Sequence, residues 1–245
     1  MKEKARIDQL LLDVGLVKDL KEAQALVQLG QVLVDGEPVI KPGTLVLKSS
    51  ALKIKPSEKY VSRGGIKLES ALEDFKISVA GKICLDVGSS TGGFTHCLLQ
   101  NGAQKVFALD VGKGLLDWKL RNDSRVVVIE EFNARFLSSA VIPEKISVAT
   151  VDVSFISLTL IFPALITVLS ENADVIALVK PQFELEAKFA KKGVVEDEEL
   201  QMKAVEKIAE FSQGIGFKML GQTKSKIKGP KGNQEYFLHL GREKS

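Results

Sequence analysis

Five apolar runs, each closed by a polar residue or a turn, constrain this chain most: residues 83–87 (ICLDV), 106–110 (VFALD), 126–129 (VVVI), 148–152 (VATVD) and 175–180 (VIALVK). A strand with one face in water alternates apolar with polar residues. Near-continuous runs of this length belong instead to a parallel sheet covered on both faces by helices. Helical stripes stand where such a sheet needs them. Ile66, Leu68, Ala71, Leu72 and Phe75 share one helix face, a further helix runs through Leu99, residues 200–211 form a late helix, and residues 236–240 (YFLHL) form a final strand. A doubly wound, Rossmann-like α/β sheet is the expected architecture, and no internal repeat competes with it.

The first sixty residues follow other rules. Ile7, Leu10, Leu11 and Val14 recur at helical spacing until Gly15 stops them, and Ala23, Leu26, Val27 and Leu29 mark a second helix ending at Gly30. Val32 and Val34 then alternate into Asp35-Gly36, a strong hairpin signal, and Val39 resumes beyond it. Pro42-Gly43 makes another turn before Val46, Leu52 and Ile54. Periodicity fades and charge rises over residues 53–63. The expected organisation is a small α+β module at residues 1–58, a linker at 59–63 and the large α/β domain at 64–245.

Composition excludes some classes. With 45% hydrophobic and 27% charged residues the chain is globular rather than disordered, and a net charge of +3 permits a nucleic-acid partner without requiring one. The two cysteines, Cys84 and Cys97, lack any zinc-binding spacing, and His96 beside Cys97 has no further ligands near it, so no metal site is expected. The reading is a reduced, cytoplasmic protein with no secretory signal in its first residues. Residues 153–170 are uncharged, but Pro163 and several hydroxyl residues interrupt them. They read as a strand end, a loop and a core helix rather than a membrane span.

Asp86-Val-Gly88-Ser89-Ser90-Thr91-Gly92-Gly93-Phe94 follows a strand and opens a helix, the setting in which a glycine turn admits a nucleotide-like ligand to the backbone. Asp110 ends the next strand, placed to accept hydrogen bonds from a ribose diol. The turn departs from the GxGxxG spacing that cradles a pyrophosphate, which favours S-adenosylmethionine over a dinucleotide; a turn that merely packs helix on strand is the alternative. Asp152 and Lys180 close the fourth and fifth runs and therefore face the same crevice. Lys180 alone also suits a lysine that reaches to the surface or pairs with an acid. Lys67 and Glu235 in isolation read as ordinary surface charges.

Longer motifs carry a resemblance. Arg6-Ile-Asp8-Gln-Leu, residues 30–36 (GQVLVDG), Lys41-Pro-Gly43, residues 60–68 (YVSRGGIKL), residues 86–95 (DVGSSTGGFT), residues 151–157 (VDVSFIS) and residues 178–184 (LVKPQFE) together resemble the TlyA family, also called haemolysin A. That family joins an S4-type RNA-binding domain to an FtsJ-like ribosomal RNA methyltransferase domain. The resemblance implies 2′-O-methylation of a ribose, that of a cytidine, in ribosomal RNA or ribosomal subunits, with S-adenosylmethionine as cofactor and no membrane partner. It places a catalytic tetrad on Lys67, Asp152, Lys180 and Glu235. It assigns cofactor contacts to Asp86, Gly88, Ser89, Ser90, Thr91, Gly92, Gly93, Phe94, Asp110 and Asn133, and RNA contacts to Lys4, Arg6, Lys21 and Arg63. Where related S4 domains carry Ser-Arg before a Glu, this chain has Leu20-Lys21-Glu22, and lysine does not replace arginine at a phosphate or a stacked base.

Lys180 is the expected base, with the second ammonium of Lys67 and partial desolvation favouring its neutral form. Asp152 is expected to orient a lysine, and Glu235 to hold Lys67 or the ribose. Three other functions compete: an RNA-binding assembly factor with little catalysis, the membrane activity that the haemolysin name suggests, and a NAD-dependent enzyme.

Overall fold

The computed structural model describes residues 3–55 and 59–242. Contacts divide the chain into two compact units, residues 1–58 and 59–245.

In the first unit, β1 (Lys4–Arg6) leads into α1 (Ile7–Asp13) and α2 (Leu20–Gln28), followed by β2 (Val32–Val34), β3 (Glu37–Val39), β4 (Leu45–Leu47) and β5 (Leu52–Ile54). β1 pairs antiparallel with β4, and β2 pairs antiparallel with both β3 and β5. Ile7, Leu11, Ala23, Val27 and Val32 are fully buried between the helices and strands. Asp35 and Gly36 both take positive φ, 51° and 93°, the geometry a two-residue hairpin needs to match strand twist. Asp19 caps α2 by accepting the Glu22 N–H at 2.8 Å, and the Glu22 carboxylate accepts the Lys18 N–H at 3.0 Å. Glu22 in the Leu20-Lys21-Glu22 sequence is thus part of the cap.

The second unit contains α3 (Arg63–Phe75), β6 (Ile83–Val87), α4 (Gly93–Gln100), β7 (Lys105–Leu109), α5 (Trp118–Arg121), β8 (Val126–Ile129), β9 (Ile146–Val151), α6 (Phe162–Val168), β10 (Leu169–Val179), α7 (Pro181–Glu184), α8 (Glu198–Gly214), β11 (Phe217–Lys224) and β12 (Tyr236–Arg242). Its seven strands lie in the order β11-β12-β10-β9-β6-β7-β8. β8, β7, β6, β9 and β10 are parallel, and β12 runs antiparallel between β10 and β11. The inner strands β6, β7, β9 and the second half of β10 bury both faces, as their unbroken apolar runs require, whereas the edge strands β8 and β11 leave Val127 and Leu220 exposed. Leu85, Ala149 and Val175 face a core with Phe162, Leu165 and Ile208, while Cys84, Val148 and Ile176 face another with Leu68, Ala71 and Leu98.

Two features differ from the sequence reading, and the uncharged stretch at residues 153–170 follows it. Residues 59–62 do not act as a bare linker: Tyr60 is buried, its ring meets His96 edge-on at 5.6 Å, and Arg63 already belongs to α3. β11 was not expected, because FKMLGQTK carries a glycine and polar residues; it forms an edge strand through pairing with β12. Residues 153–170 form a loop, a 3-10 turn, α6 and the first residues of β10, with Pro163 in the first turn of α6, where its missing N–H costs little. Among the described residues no helix is long and apolar enough to cross a membrane.

Candidate active site

The strand order reverses at β6 and β9, so the loops leaving these neighbours diverge and open a crevice at their carboxyl ends. Gly88 turns the chain out of β6 with φ 84°. A Cβ there would collide with the backbone carbonyl of Asp152, so glycine alone lets the turn pass this close to the end of β9. The Val87 carbonyl accepts the Asp152 N–H at 2.9 Å, and the Leu109 carbonyl accepts the N–H groups of Gly88 and Ser89 at 2.8 and 3.0 Å. Three strand ends are thereby locked into one rim.

Two cavities open on this rim. One, of 450 Å³, is walled by Leu109, Phe132, Ile156 and Leu115 and carries Asp110 and Asn133. The Asp110 carboxylate accepts the Ser90 N–H at 2.8 Å and the Gly112 N–H at 2.7 Å, which fixes both oxygens at the cavity wall. A carboxylate held this way beside apolar and aromatic walls suits a ribose diol with a planar base next to it. The second cavity, of 630 Å³, holds Lys67, Asp152, Lys180 and Glu235 together, with Ser62, Arg63, Gly64, Ser89, Thr91, Gly93 and Phe94 also on its wall. Gly88, Ser90, Asp152, Ser154 and Phe155 border both cavities.

The four charges form two pairs. Lys67 Nζ donates to Glu235 Oε2 at 2.6 Å, and both side chains are buried. Lys180 Nζ lies 2.6 Å from Asp152 Oδ1 as a close ion contact and donates to Ser154 Oγ at 2.9 Å. Lys67 comes from α3, Asp152 from the end of β9, Lys180 from the end of β10 and Glu235 from the residue before β12. Each lysine therefore has its own carboxylate.

Two expected cofactor contacts lie elsewhere. Asp86 is fully buried and borders neither cavity: its carboxylate accepts Thr95 Oγ1 at 2.7 Å and Thr150 Oγ1 at 3.0 Å, tying α4 to β9 beneath the turn. Burial pushes its carboxyl up to about 7; the two hydroxyls oppose the shift and the nearby Asp152 charge adds to it. Gly92 also borders neither cavity, packing instead against Leu116 and Leu120 at the start of α4. Of the expected RNA contacts, Lys4 and Lys21 are exposed on the first unit, the Arg6 guanidinium forks onto Asp8 at 3.1 and 2.7 Å, and Arg63 stands at the second cavity.

Several site residues were not expected. Phe155 is 90% exposed, holds φ 63° and meets Phe183 at 4.9 Å between ring centroids. An exposed aromatic held in this uncommon backbone region carries a local conformational cost. Gln182 Oε1 is buried at the cavity without a hydrogen-bond partner among the described residues. Buried Glu184 accepts Ser157 Oγ at 2.5 Å and the Leu158 N–H at 2.9 Å, joining the loop after β9 to α7; burial raises its carboxyl and those two donors lower it. The motifs VDVSFIS and LVKPQFE contain all of these residues and were the available signal. No cluster of metal-ligating side chains occurs among the described residues.

A cavity with a fixed carboxylate and aromatic wall, sharing a rim with one that gathers two lysine–carboxylate pairs, fits a group-transfer enzyme of the doubly wound α/β class. Comparison with known proteins narrows the class. The model of the FtsJ-like methyltransferase family matches residues 60–242, and that of the S4 domain matches residues 5–51. The chain is 46% identical over 243 residues to the 16S/23S rRNA (cytidine-2′-O)-methyltransferase TlyA of Mycobacterium tuberculosis, covering 98% of this chain and 91% of that protein. It is 43% identical over 237 residues to Hemolysin A of Brachyspira hyodysenteriae, covering 96% and 99%. A solved structure of a candidate hemolysin from Streptococcus thermophilus, 41% identical, matches with a TM-score of 0.76 over 100% of this chain and 90% of that one. This chain belongs to the FtsJ-like methyltransferase family, in the arrangement that sets an S4 domain ahead of the methyltransferase unit.

Proposed function

We propose that this protein transfers a methyl group from S-adenosylmethionine to the 2′-hydroxyl of a cytidine ribose in ribosomal RNA. The observation that carries the reading is the meeting of Lys67, Asp152, Lys180 and Glu235 in one cavity, against the wall that bounds the nucleoside-shaped cavity. The 46% identity to a relative named for this reaction supports the base and the RNA.

The residues present fit the cofactor. Asp110 would hold the ribose diol, Phe132 and Leu109 would flank the adenine, and the turn at residues 88–91 with the orphan acceptor of Gln182 would hold the methionine portion. S-adenosylmethionine, when bound, supplies an electrophilic methyl group. The protein then prepares the oxygen. Lys180 Nζ, which Asp152 and Ser154 hold at 2.6 and 2.9 Å, is the candidate acceptor of the hydroxyl proton. Lys67, fixed by Glu235, presents a positive charge to the oxygen as negative charge develops on it. Holding oxygen and methyl in line supplies much of the remaining acceleration. Exposed Phe155, backed by half-buried Phe183, offers a ring face for an unstacked base.

Mass-spectrometric mapping of ribose methylation in ribosomal RNA, as naked RNA and as assembled subunits, tests the reading. The expected result is one or a few methylated cytidines with the wild type and a loss of about 10²–10⁴-fold in rate with Lys180→Ala, the range for removal of a general base. Methylation by the variant at the wild-type rate removes Lys180 as the base. RNA binding without methylation by the wild type turns the reading to an assembly factor.

A further inference from the structure

Two lysine-bearing loops meet at the lip of the larger cavity. One is the tight turn bridged between Lys191 and Val194; the other, residues 225–235, leads from β11 into β12. Buried Asn233 clasps them, accepting the Val195 N–H at 3.0 Å and donating to the Gly193 carbonyl at 2.8 Å. The second loop also rests on the catalytic cluster. A Cβ on Gly229 would run into the Glu235 carboxylate, so this backbone lies directly over the partner of Lys67.

Charge on these loops is only partly compensated. Lys188 pairs with Glu186 at 2.9 Å, Lys224 with Glu198 at 2.8 Å and Lys226 with Asp74 at 3.4 Å. Lys191, Lys192, Lys228 and Lys231 are exposed and have no ion partner among the described residues. Lys231 and Gly193 border the cavity itself, and Lys231 holds φ 59°, a conformation kept at a local cost. Four exposed ammonium groups without an ion partner on a clasp seated over the cavity favour an anionic strand there.

We propose that Lys191, Lys192, Lys228 and Lys231 form a phosphate clamp that grips the backbone of the RNA strand beside the target nucleotide. The clamp rests on the reading of this protein as an RNA methyltransferase and adds a second RNA-holding surface, on the catalytic unit itself. Because the clamp is tied to Glu235 through Gly229 and to the turn through Asn233, binding there registers the strand against the two ion pairs. Phosphate contacts of this kind position a strand without reading its sequence.

The test measures binding of a fluorescein-labelled single-stranded RNA 20-mer and of deproteinised ribosomal RNA between 50 and 200 mM KCl. The wild type is compared with a variant carrying Lys→Gln at all four positions and one carrying Lys→Arg at all four. Each phosphate contact contributes roughly 0.7 to the slope of log affinity against log salt for a single strand, so removing four lowers the slope by roughly 3, or about 50-fold less affinity lost across that range. The arginine variant keeps the wild-type slope, and the glutamine variant keeps the wild-type melting temperature and S-adenosylmethionine affinity. A glutamine variant whose slope stays within about 0.5 of wild type overturns the clamp and leaves the RNA contact to other surfaces. A wild type with no salt-dependent RNA binding overturns the RNA methyltransferase reading as well.

Discussion

Replacing Lys67 with methionine separates the structural from the chemical role of the Lys67–Glu235 pair. The carboxylate of Glu235 is 1% exposed and its closest cation is Lys67 at 2.6 Å. Lys67→Met fills the volume but leaves that carboxylate buried without its counter-charge, at a cost of about 3–5 kcal/mol. Glu235→Gln keeps the shape against Gly229 and leaves an amide oxygen for the ammonium, costing about 1–3 kcal/mol. Independent effects sum to about 4–8 kcal/mol; the double variant removes both charges and is expected at least about 2 kcal/mol below that sum. For a unit of this size each kcal/mol moves the melting temperature by about 2–4 °C, so Lys67→Met melts roughly 6–20 °C below wild type and the double variant recovers part of the loss. Circular-dichroism melts with denaturant titrations give the cycle, and methyl transfer to ribosomal RNA is assayed on the same samples. Stability should return in part in the double variant while methyl transfer stays lost. Additivity within about 0.5 kcal/mol refutes the coupling, and wild-type methyl transfer by the double variant refutes the chemical role.

Further outcomes follow from the turn beneath the cofactor cavity. Gly88→Ala forces a Cβ against the Asp152 backbone at φ 84°, so a fall of roughly 2 kcal/mol or more in stability and a loss of at least about tenfold in S-adenosylmethionine affinity are expected by calorimetry; unchanged affinity contradicts the cradle. Asp110→Ala removes the carboxylate proposed to accept the ribose diol, and S-adenosylmethionine affinity should drop by about tenfold or more with little change in melting temperature. Asp86 supplies the pH dependence. Its carboxyl lies at about 7 in the folded protein against 3.8 unfolded, so between these values the folded state holds a proton that the unfolded state has released. Stability therefore falls as pH rises from about 4 to about 7, by up to about 4 kcal/mol from this group, and levels off above. Asp86→Asn should flatten that part of the curve, and identical pH profiles for variant and wild type would refute the assignment.

The legible parts of this protein are those written in local pattern. Unbroken apolar runs announced β6 to β10, because parallel strands must bury both faces, and the end of each run announced which charges face the crevice. Asp152 and Lys180 were readable on that ground alone. Lys67 and Glu235 were not, since their meaning is their contact, and 168 residues separate them. Family resemblance named them, but only the fold shows that each pair is a lysine with its own carboxylate. Asp86 misleads for the same reason: an acid opening a glycine turn reads as a ligand contact, yet Thr150, 64 residues away on β9, claims it. Phe155 lies three residues beyond a legible aspartate, but its positive φ has no signature in the residue type.

The position of β12 between β10 and β11 bears on how the enzyme is made. During synthesis, β6 to β10 emerge before β11 and β12, so the turn at Gly88, Asp110, Asp152 and Lys180 can assemble while β12 is still being translated. Until β12 inserts, β10 exposes a long apolar edge and Lys67 has no counter-ion. That interval is when the nascent chain is most prone to pair with another strand. The same order delays completion of the Lys67–Glu235 pair, because Glu235 arrives with the strand that inserts beside β10. That pair therefore forms only once nearly the whole unit has left the ribosome.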